Sequence, residues 1–343
     1  MYKKSYINLL KKITISTCKS MLRRIKSFSF LPKEQPLPTV VRLEASTFCQ
    51  LDCVQCYMRL CNYVAHGAGY LKYVDFVKFL DKNPYIRKIE LSNSGEIFLN
   101  PDLFKIIQHA YSKGVKLQAR NGVNFNNVSD EMLEALVKYE FQRMNISLDG
   151  ASQEIYSQYR RKGNFDTVIN NIKKLNEYKK KYNSKVPIIY WQYIIFEWND
   201  LESEIRKAQE MAASLDATVV FGKAWDGYIT KNAEIINQKY VFMPCPGLWN
   251  APQINWDGRF FGCCVNSWQD FGINVFEIGL EEALNSKIVK KTKKMLMGQG
   301  KCENSPCCQC HHYKEMAKND SYLTNSTINN WIEEIRYDTK ISS

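Results

Sequence analysis

The sequence predicts an α/β fold, namely a partial, TIM-like (β/α)6 barrel followed by a small C-terminal cysteine-rich module. Two observations predict this fold. After Pro36 and Pro38, short runs rich in β-branched residues alternate with amphipathic stretches, a pattern typical of βα units that share a parallel sheet. From about residue 226 this alternation stops, and cysteines and tryptophans become frequent.

The alternation locates six strands and five helices. The strands are expected at residues 39–46, 86–93, 115–121, 141–149, 187–196 and 217–223. The helices are expected at residues 70–82, 101–113, 129–139, 165–182 and 200–214. Right-handed crossovers between parallel strands would gather functional groups on the loops at the carboxyl ends of the strands.

Two local signals add detail to this outline. Asn199 and Glu202 have the spacing of a capping box at the start of the fifth helix. In the cysteine-rich region, Asp257-Gly258 fits a type I′ turn, which predicts a hairpin over residues 253–263.

The chain has 343 residues, of which 45% are hydrophobic and 24% charged, enough for one large domain and an appendage. The predicted segments are a basic helical extension at 1–36, the barrel at 37–225, the cysteine-rich module at 226–312 and a helical tail at 313–343. No apolar run reaches the roughly 20 residues that span a bilayer, and lysines interrupt the N-terminal apolar stretch too early for a signal peptide. A cytoplasmic protein is therefore expected.

The formal net charge of +12 is concentrated at the N terminus. Residues 1–36 contain nine Lys or Arg against Glu34 alone, a net charge of +8. One interpretation is a solvated helix outside the core, and this is the preferred one. The other is an interfacial helix in which residues 1–33 contact anionic lipid at the inner face of the membrane. Nucleic acid is not expected as a partner.

Twelve cysteines in a chain with no export signal favour metal or cluster ligation, because cytosolic thiols are kept reduced. Cys49-x3-Cys53-x2-Cys56 lies on the loop that leaves the first strand. Three thiolates on one short loop can hold three irons of a cubane and leave the fourth iron open to an external ligand. The alternative is a zinc knuckle, in which Cys53 and Cys56 combine with another pair of ligands.

The position of this motif, at the start of a series of βα units, resembles the radical S-adenosylmethionine (SAM) superfamily over residues 37–225. The resemblance implies that Cys49, Cys53 and Cys56 bind a [4Fe-4S] cluster whose open iron takes SAM. It also implies the reaction: the reduced cluster cleaves SAM to a 5′-deoxyadenosyl radical, which abstracts a substrate hydrogen. A flavodoxin- or ferredoxin-type electron donor is implied as partner.

The same resemblance implies contacts to SAM on later loops. Ser94-Gly95-Glu96 stands where the family contacts the methionine amino group, the pattern NISLDG resembles a SAM-binding strand, and a basic segment follows it. For Asn121, a simple strand-ending turn explains the residue equally well. The residues nominated by the resemblance are Ser94, Gly95, Glu96, Asn121, Ser147, Asp149 and Arg160, the last for the SAM carboxylate.

Two positions depart from the family pattern. Members usually have Gly where this chain has Ser94, and they often have an aromatic residue beside the adenine where this chain has Gln55. Tyr57 is expected to compensate for the second departure.

Cysteines recur in the C-terminal region. Cys245-x12-Gly258-x4-Cys263 and the pair Cys307-x2-Cys310 resemble SPASM and twitch modules, which bind auxiliary [4Fe-4S] clusters. The later part is too short for a two-cluster SPASM module, so the twitch form with one auxiliary cluster is predicted. Its nominated ligands are Cys245, Cys263, Cys307 and Cys310. Cys264, Cys302 and Cys308 are expected to be ordinary buried thiols, and zinc in the four-cysteine site remains an alternative.

The twitch spacing is similar to that of deoxy-scyllo-inosamine dehydrogenases. The leading hypothesis is therefore a redox modification, such as dehydrogenation, of a sugar- or cyclitol-like small molecule. One rival is a maturase that modifies ribosomally made peptides or proteins, although residues 1–36 are too short for a winged-helix leader-binding domain. Another is a non-catalytic iron-sulfur or zinc protein, which leaves the six βα units unexplained. By position, the residues expected around the pocket are Arg120, Glu197, Trp198, Lys223 and Trp225.

Overall fold

A computed structural model describes residues 36–60, 65–224, 228–236 and 245–330. In these residues, seven parallel strands form one sheet in the order β6-β5-β4-β3-β2-β1-β7. The strands are β1 (Val40–Leu43), β2 (Lys88–Glu90), β3 (Lys116–Val123), β4 (Arg143–Ser147), β5 (Ile188–Ile195), β6 (Ala217–Lys223) and β7 (Gln253–Ile254). The first six confirm the predicted α/β fold, in which consecutive strands are neighbours in an open sheet.

Helices connect these strands and continue after them. They are α1 (Tyr57–Leu60), α2 (Tyr73–Lys82), α3 (Leu103–Ser112), α4 (Asp130–Lys138), α5 (Gln153–Tyr159), α6 (Phe165–Lys181), α7 (Glu202–Ser214), α8 (Ala233–Ile236), α9 (Gly247–Asn250), α10 (Val275–Ile278), α11 (Leu280–Asn285), α12 (Lys287–Leu296) and α13 (His311–Lys318). Short 3₁₀ turns lie at Ile97–Leu99 and Pro306–Gln309. The predicted strands and helices of the barrel are present, with bounds within three residues of those expected.

The two faces of the sheet differ in chemistry. Because successive side chains of a strand point to opposite faces, Val41, Leu43 and Ile89 share the face that packs in the hydrophobic core with the helices. On the opposite face, Arg42 is registered with Glu90, and Glu90 with Gln118. In a partial barrel this second face is the inner one, so the interior beneath the strand ends is polar.

Asn199 has a different role from the one predicted. The capping box is wrong, because α7 begins after Leu201 and no side chain caps it. Asn199 is instead fully buried, and its amide donates to the carbonyls of Asp149 (2.9 Å) and Ile194 (2.8 Å) while accepting from the N–H of Phe196 (2.7 Å). It therefore ties the chain after β4 to the chain that leaves β5.

The C-terminal region adds a strand to the barrel. β7 pairs in parallel with β1, where Arg42 is registered with Gln253 and Leu43 with Ile254. The predicted hairpin follows, with an antiparallel bridge between Ile254 and Phe260. Its turn is not type I′, since Gly258 is left-handed (φ 87°) but Asp257 is not. One left-handed glycine after two ordinary turn residues is typical of a three-residue hairpin loop with a bulge.

The hairpin docks against the loop that precedes α2. The carbonyl of His66 accepts hydrogen bonds from Asn255 (2.7 Å), Trp256 (3.0 Å) and Arg259 (2.7 Å). The ring of His66 stacks on Phe261, with centroids 4.6 Å apart. The cysteine-rich region is therefore built into the barrel beside β1.

The basic segment at residues 1–35 lies outside the described residues, as do Trp225 and residues 331–343 of the predicted helical tail. Among the residues that are described, no helix is long and apolar enough to cross a membrane.

Replacing Asn199 tests its role as a tie between strand ends. Asn199→Ala should lower the free energy of unfolding by about 2 kcal/mol, because buried partners lose their hydrogen bonds. Urea unfolding followed by circular dichroism measures this change. Glu202→Ala is the matched control, since it removes only an exposed pair with Arg206 and should cost no more than about 0.5 kcal/mol. A larger decrease in the free energy of unfolding for Glu202→Ala than for Asn199→Ala would contradict this role of Asn199 and support the capping box.

Candidate functional site

The cysteine loop leaves the carboxyl end of β1 and is held by three neighbouring loops. The N–H of Thr47 donates to the carbonyl of Gly69 (3.1 Å), and the N–H of Glu96 donates to that of Phe48 (2.8 Å). The N–H of Asp52 donates to the carbonyl of Arg161 (3.0 Å). The loop therefore has a fixed path at the strand ends, where the barrel pattern predicts functional groups.

Gly95 makes the closest approach to this loop. A Cβ atom at residue 95 would lie 2.4 Å from the carbonyl oxygen of Ser46 and 2.7 Å from that of Phe48. These neighbours are backbone atoms and cannot turn aside. The middle residue of Ser94-Gly95-Glu96 must therefore be glycine for the two loops to meet.

The three cysteines of the loop lie at the junction of these segments. Cys53 is buried, and Cys49 and Cys56 are partly exposed. Burial raises the pKa of Cys49 to about 12, and Glu96 and the other two thiols add to the rise. Burial also raises the pKa of Cys53, against the opposing effect of Arg160. Thiolates at such positions need nearby positive charge, so this donor set fits an iron-sulfur cluster.

Polar side chains reach two of the sulfurs. The amide of Asn124 donates to Sγ of Cys49 (3.6 Å), and Nη1 of Arg160 donates to Sγ of Cys53 (3.8 Å). Sequence reasoning did not single out Asn124. The only sequence feature that could have identified Asn124 is its position directly after β3, at the strand ends where the cysteine loop also lies.

Asp149 and Arg160, both nominated from the sequence, form a buried ion pair. Nε of Arg160 lies 2.5 Å from Oδ2 of Asp149, and the other oxygen of Asp149 accepts from the N–H of Ile194 (2.7 Å). Although burial opposes it, the Asp149 carboxylate holds the pKa of Arg160 well above its ordinary value. Arg160 therefore brings a permanent positive charge beside Cys53.

Glu96 connects the loop after β2 to the end of β3, and its carboxylate is not available to bind a ligand. Its carboxylate is buried and accepts from the N–H of Phe98 (3.3 Å) and of Asn124 (2.5 Å). Burial raises its pKa to about 7. Both oxygens are thus engaged with backbone groups, so Glu96 holds the loop in place and is not open to a ligand.

Glu44 is a buried carboxylate that sequence reasoning missed. It follows β1, is fully buried, and neither oxygen has a hydrogen bond of ordinary geometry. Burial raises its pKa to about 7, while the nearby hydroxyl and N–H of Ser94 oppose the rise. An acidic residue among the apolar ones before Cys49 was the available signal.

Asn121 and Ser147 flank the inner edge of the sheet. Asn121 does not end its strand, because β3 continues to Val123 with an irregular register, so the turn interpretation is wrong. The amide of Asn121 donates to Asn93 (2.7 Å), which also accepts from Arg42 (3.1 Å). Ser147 ends β4. Its hydroxyl oxygen would lie only 2.4 Å from a Cβ atom added to Gly122, so no larger residue fits at position 122.

The residues expected around the pocket are distributed over the strand ends. Trp198 stacks on Phe196, with centroids 5.1 Å apart and ring planes within 10° of parallel. Lys223 ends β6 and, like Glu197, is exposed. Arg120 lies in β3, and its N–H donates to both oxygens of Glu90 (2.9 Å each).

A second group of thiols lies in the C-terminal region. Cys245, Cys263, Cys307 and Cys310, nominated together, are all free. Burial and the neighbouring thiols raise the pKa of Cys245 to about 12, and Cys264 is among those neighbours. Cys264 therefore belongs to the same group. In the described part of the chain, no three His, Cys, Asp or Glu side chains converge on one point as they would around a single metal ion.

The remaining two cysteines of this region are bonded to each other. Cys302 and Cys308 form a disulfide, with Cα atoms 5.6 Å apart. The expectation that they are ordinary thiols is wrong, because the 3₁₀ turn at Pro306–Gln309 folds Cys308 back within bonding distance. Cys307 lies within the short loop that this disulfide closes.

One short segment links the two groups of cysteines. It runs from Cys263 to Trp268, whose indole N–H donates to the carbonyl of Pro306 (2.9 Å). The hydroxyl of Tyr57, the residue after Cys56, donates to the carbonyl of Ser267 (3.2 Å). The segment from Cys263 to Trp268 is therefore hydrogen-bonded both to the residue after Cys56 and to the residue before Cys307.

Comparison with known proteins agrees with this site. Residues 43–190, from the end of β1 into β5, match the family model described as Radical SAM superfamily. The matched segment contains Cys49, Cys53 and Cys56. SAM and [4Fe-4S] clusters are the cofactors of this family.

Three similar proteins extend the comparison. AlbA of Bacillus subtilis, a protein of subtilosin bacteriocin biosynthesis, is 24% identical over 286 residues, which are 75% of this chain and 62% of AlbA. The chain thus spans about three fifths of that relative. A structure of Streptococcus suis SuiB with the precursor peptide SuiA has a TM-score of 0.58 and 12% identity, covering 88% of this chain and 75% of SuiB. BtrN in complex with AdoMet and 2-DOIA has a TM-score of 0.45 and 14% identity, covering 76% and 88%.

Gly95→Ala tests the close approach beneath the cysteine loop. The added methyl should push the loops apart, destabilise the protein by about 1–3 kcal/mol and lower the iron retained after anaerobic reconstitution. Iron analysis and thermal melting measure the two effects. Gly300→Ala is the control, because its nearest neighbouring atom would be 4.0 Å away. Iron content and melting temperature equal to those of the unmodified protein would refute the steric argument.

Proposed function

We propose that this chain, whose residues 43–190 match the Radical SAM superfamily model, cleaves SAM reductively and uses the product radical to modify a peptide substrate. The single observation that carries the proposal is the meeting of three loops at Cys49, Cys53 and Cys56. The loop after β2 approaches through Gly95, and the segment after β4 approaches through Arg160.

The proposed cluster ligands are Cys49, Cys53 and Cys56, and SAM would bind at the same strand ends. A [4Fe-4S] cluster held by these three cysteines would supply the electron that breaks the C5′–S bond of SAM, which would leave a carbon radical able to take a hydrogen atom from the substrate.

The residues of this chain have separate tasks in the proposal. The backbone at Ser94 and Gly95 is the contact for the methionine amino group, and Glu96 holds that loop in position. Arg160 provides the positive charge for the SAM carboxylate, while Asp149 fixes its orientation. Ser147 and Asn121 line the inner edge from which the substrate is presented.

The second thiol group is proposed to hold one auxiliary [4Fe-4S] cluster. Its ligands are Cys245, Cys263, Cys307 and Cys310, which are all free. The hydrogen bond from Tyr57 to the carbonyl of Ser267 supports a position near the first cysteine loop, from which such a cluster would accept the electron that a substrate oxidation releases. An external flavodoxin- or ferredoxin-type protein would supply the first electron.

Three observations support a peptide substrate. AlbA is similar over three quarters of this chain and takes part in bacteriocin biosynthesis, and the structure of SuiB contains a precursor peptide. In the sheet, β6 pairs with β5 alone among the described strands. An extended peptide can add to such an edge through main-chain hydrogen bonds.

Dehydrogenation of a sugar- or cyclitol-like molecule is the second candidate. The polar inner face favours it, because Arg42, Asn93 and Asn121 already form a hydrogen-bonded group suited to hydroxyl-rich ligands. The twitch-like cysteine spacing supports it as well.

Anaerobic reconstitution with iron, sulfide, dithionite and SAM tests the enzyme class. The protein should form 5′-deoxyadenosine, detected by chromatography, and bind about eight irons per chain in two cubanes. Cys49→Ala should abolish 5′-deoxyadenosine formation, because one iron of the first cluster loses its ligand.

Cys245→Ala is the matched control for that experiment. It should lower the iron content towards about four per chain while SAM cleavage survives at least in part. No 5′-deoxyadenosine from the unmodified protein would exclude the proposed activity, and full iron content in Cys245→Ala would remove Cys245 from the ligands.

The substrate class is tested by stimulation of SAM cleavage. A precursor peptide encoded beside this gene should increase 5′-deoxyadenosine formation. Mass spectrometry should show that the modified peptide has lost the mass of the abstracted hydrogen atoms. An aminocyclitol such as deoxy-scyllo-inosamine is the comparison. Stimulation by the aminocyclitol alone, with conversion of an alcohol to a ketone, would replace the peptide proposal with the second candidate.

A further inference from the structure

We propose that an acidic electron-carrier protein docks on the surface formed by Tyr57, Arg59, Leu60, Arg161 and Lys162, here termed the basic collar. The inference rests on the proposed function, because reductive cleavage of SAM needs an electron from outside this chain. It goes further in assigning the place where that electron enters.

The basic collar lies directly against the cysteine loop. Arg59 and Leu60 belong to α1, which begins at the residue after Cys56, and the N–H of Leu60 donates to the carbonyl of Cys56 (3.0 Å). On the other side, the carbonyl of Arg161 accepts from the N–H of Asp52, which precedes Cys53. A protein bound to this surface would lie close to the sulfurs of Cys53 and Cys56. Electron transfer requires such a short distance between donor and acceptor.

The charge of the collar is positive and exposed. Nε of Arg59 lies 2.5 Å from Asp52, and Nζ of Lys162 lies 3.8 Å from the same carboxylate. The side chains of Arg59 and Lys162 are 46% and 70% exposed, and Arg161 is exposed as well. Three cations against one carboxylate leave a net charge of about +2, which attracts an acidic partner and speeds its approach.

The centre of the collar is apolar. Leu60 is 69% exposed and Tyr57 is 48% exposed. Interfaces commonly have an aromatic or aliphatic centre surrounded by a polar rim, and encounters between redox proteins are among the smallest. An exposed leucine and tyrosine on the short helix that also carries Arg59 combine apolar and charged surface in the way such interfaces do.

The collar is also held in shape. Lys162 has a left-handed backbone (φ 67°), an uncommon conformation for a residue with a side chain. Gly163 follows, and a Cβ there would lie 2.4 Å from Oη of Tyr156. Packing against Tyr156 therefore fixes the direction in which Arg161 and Lys162 leave the barrel.

An acidic substrate peptide is the competing occupant of a basic surface. The collar favours the electron carrier, because its residues adjoin the cysteines through α1 and Asp52. The polar residues that face the proposed substrate, Arg42, Asn121 and Ser147, lie on the inner face of the sheet instead.

The test is the double variant Arg59→Glu and Lys162→Glu in the reconstituted protein. With photoreduced flavodoxin as donor, the second-order rate of cluster reduction, followed by the loss of visible absorbance, should fall about tenfold or more at low salt. The rate with dithionite should be unchanged. In the unmodified protein the flavodoxin rate should fall as salt is added, and in the variant this dependence should weaken.

Lys113→Glu is the matched control. Lys113 is 48% exposed and lies 3.4 Å from Asp81, and it precedes β3 at the opposite end of the sheet. Its reversal should leave the flavodoxin rate unchanged. A reduced ferredoxin, used in a parallel experiment, identifies which carrier the collar prefers, and a loss with either carrier supports the proposal.

Three results would overturn the inference. They are unchanged rates with both flavodoxin and ferredoxin in the double variant, an equal loss with dithionite, and an equal loss in Lys113→Glu. A raised KM for an acidic peptide with a normal flavodoxin rate would assign the collar to the substrate. Cluster reduction is measured without SAM, so failure of the collar is distinguishable from failure of SAM cleavage itself.

Discussion

The site depends on the buried ion pair between Asp149 and Arg160. Asp149 is fully buried, has a left-handed backbone (φ 55°), and also binds the N–H of Ile194. Removing one partner of such a pair typically costs about 3–5 kcal/mol, because the other charge is left buried and alone. The pair therefore links the ends of β4 and β5 to the cysteine loop, and it fixes a cation beside Cys53.

Other buried polar groups extend this link across the sheet. Asn199 binds the carbonyl of Asp149, and Glu96 joins the loop after β2 to the end of β3. Gly95 lets the loop after β2 reach the backbone of the cysteine loop. The strand ends are thus joined by hydrogen bonds to backbone groups, which suits a site that must keep its shape with a large cofactor.

The sequence predicted the strands and helices of the barrel, because alternation and amphipathic periodicity are local signals. It did not predict which partners the polar side chains choose. Asn199 has the spacing of a helix cap, yet it binds Asp149, 50 residues away. Likewise, the hairpin over residues 253–263 was predicted, but the parallel pairing of its first strand, β7, with β1 was not. Contacts between residues far apart in the chain are decided by the assembled fold.

The cysteines also show the difference between what local spacing predicts and what long-range contacts decide. Spacing identified Cys49, Cys53 and Cys56 as one group, since all three lie on one loop. In the C-terminal region, spacing could not separate Cys264 from the nominated ligands or foresee the bond between Cys302 and Cys308. That region is joined to the barrel by the pairing of β7 with β1 and by hydrogen bonds to the carbonyl of His66. The position of these thiols beside the first cysteine loop is therefore set by long-range contacts, which the spacing of cysteines along the chain does not encode.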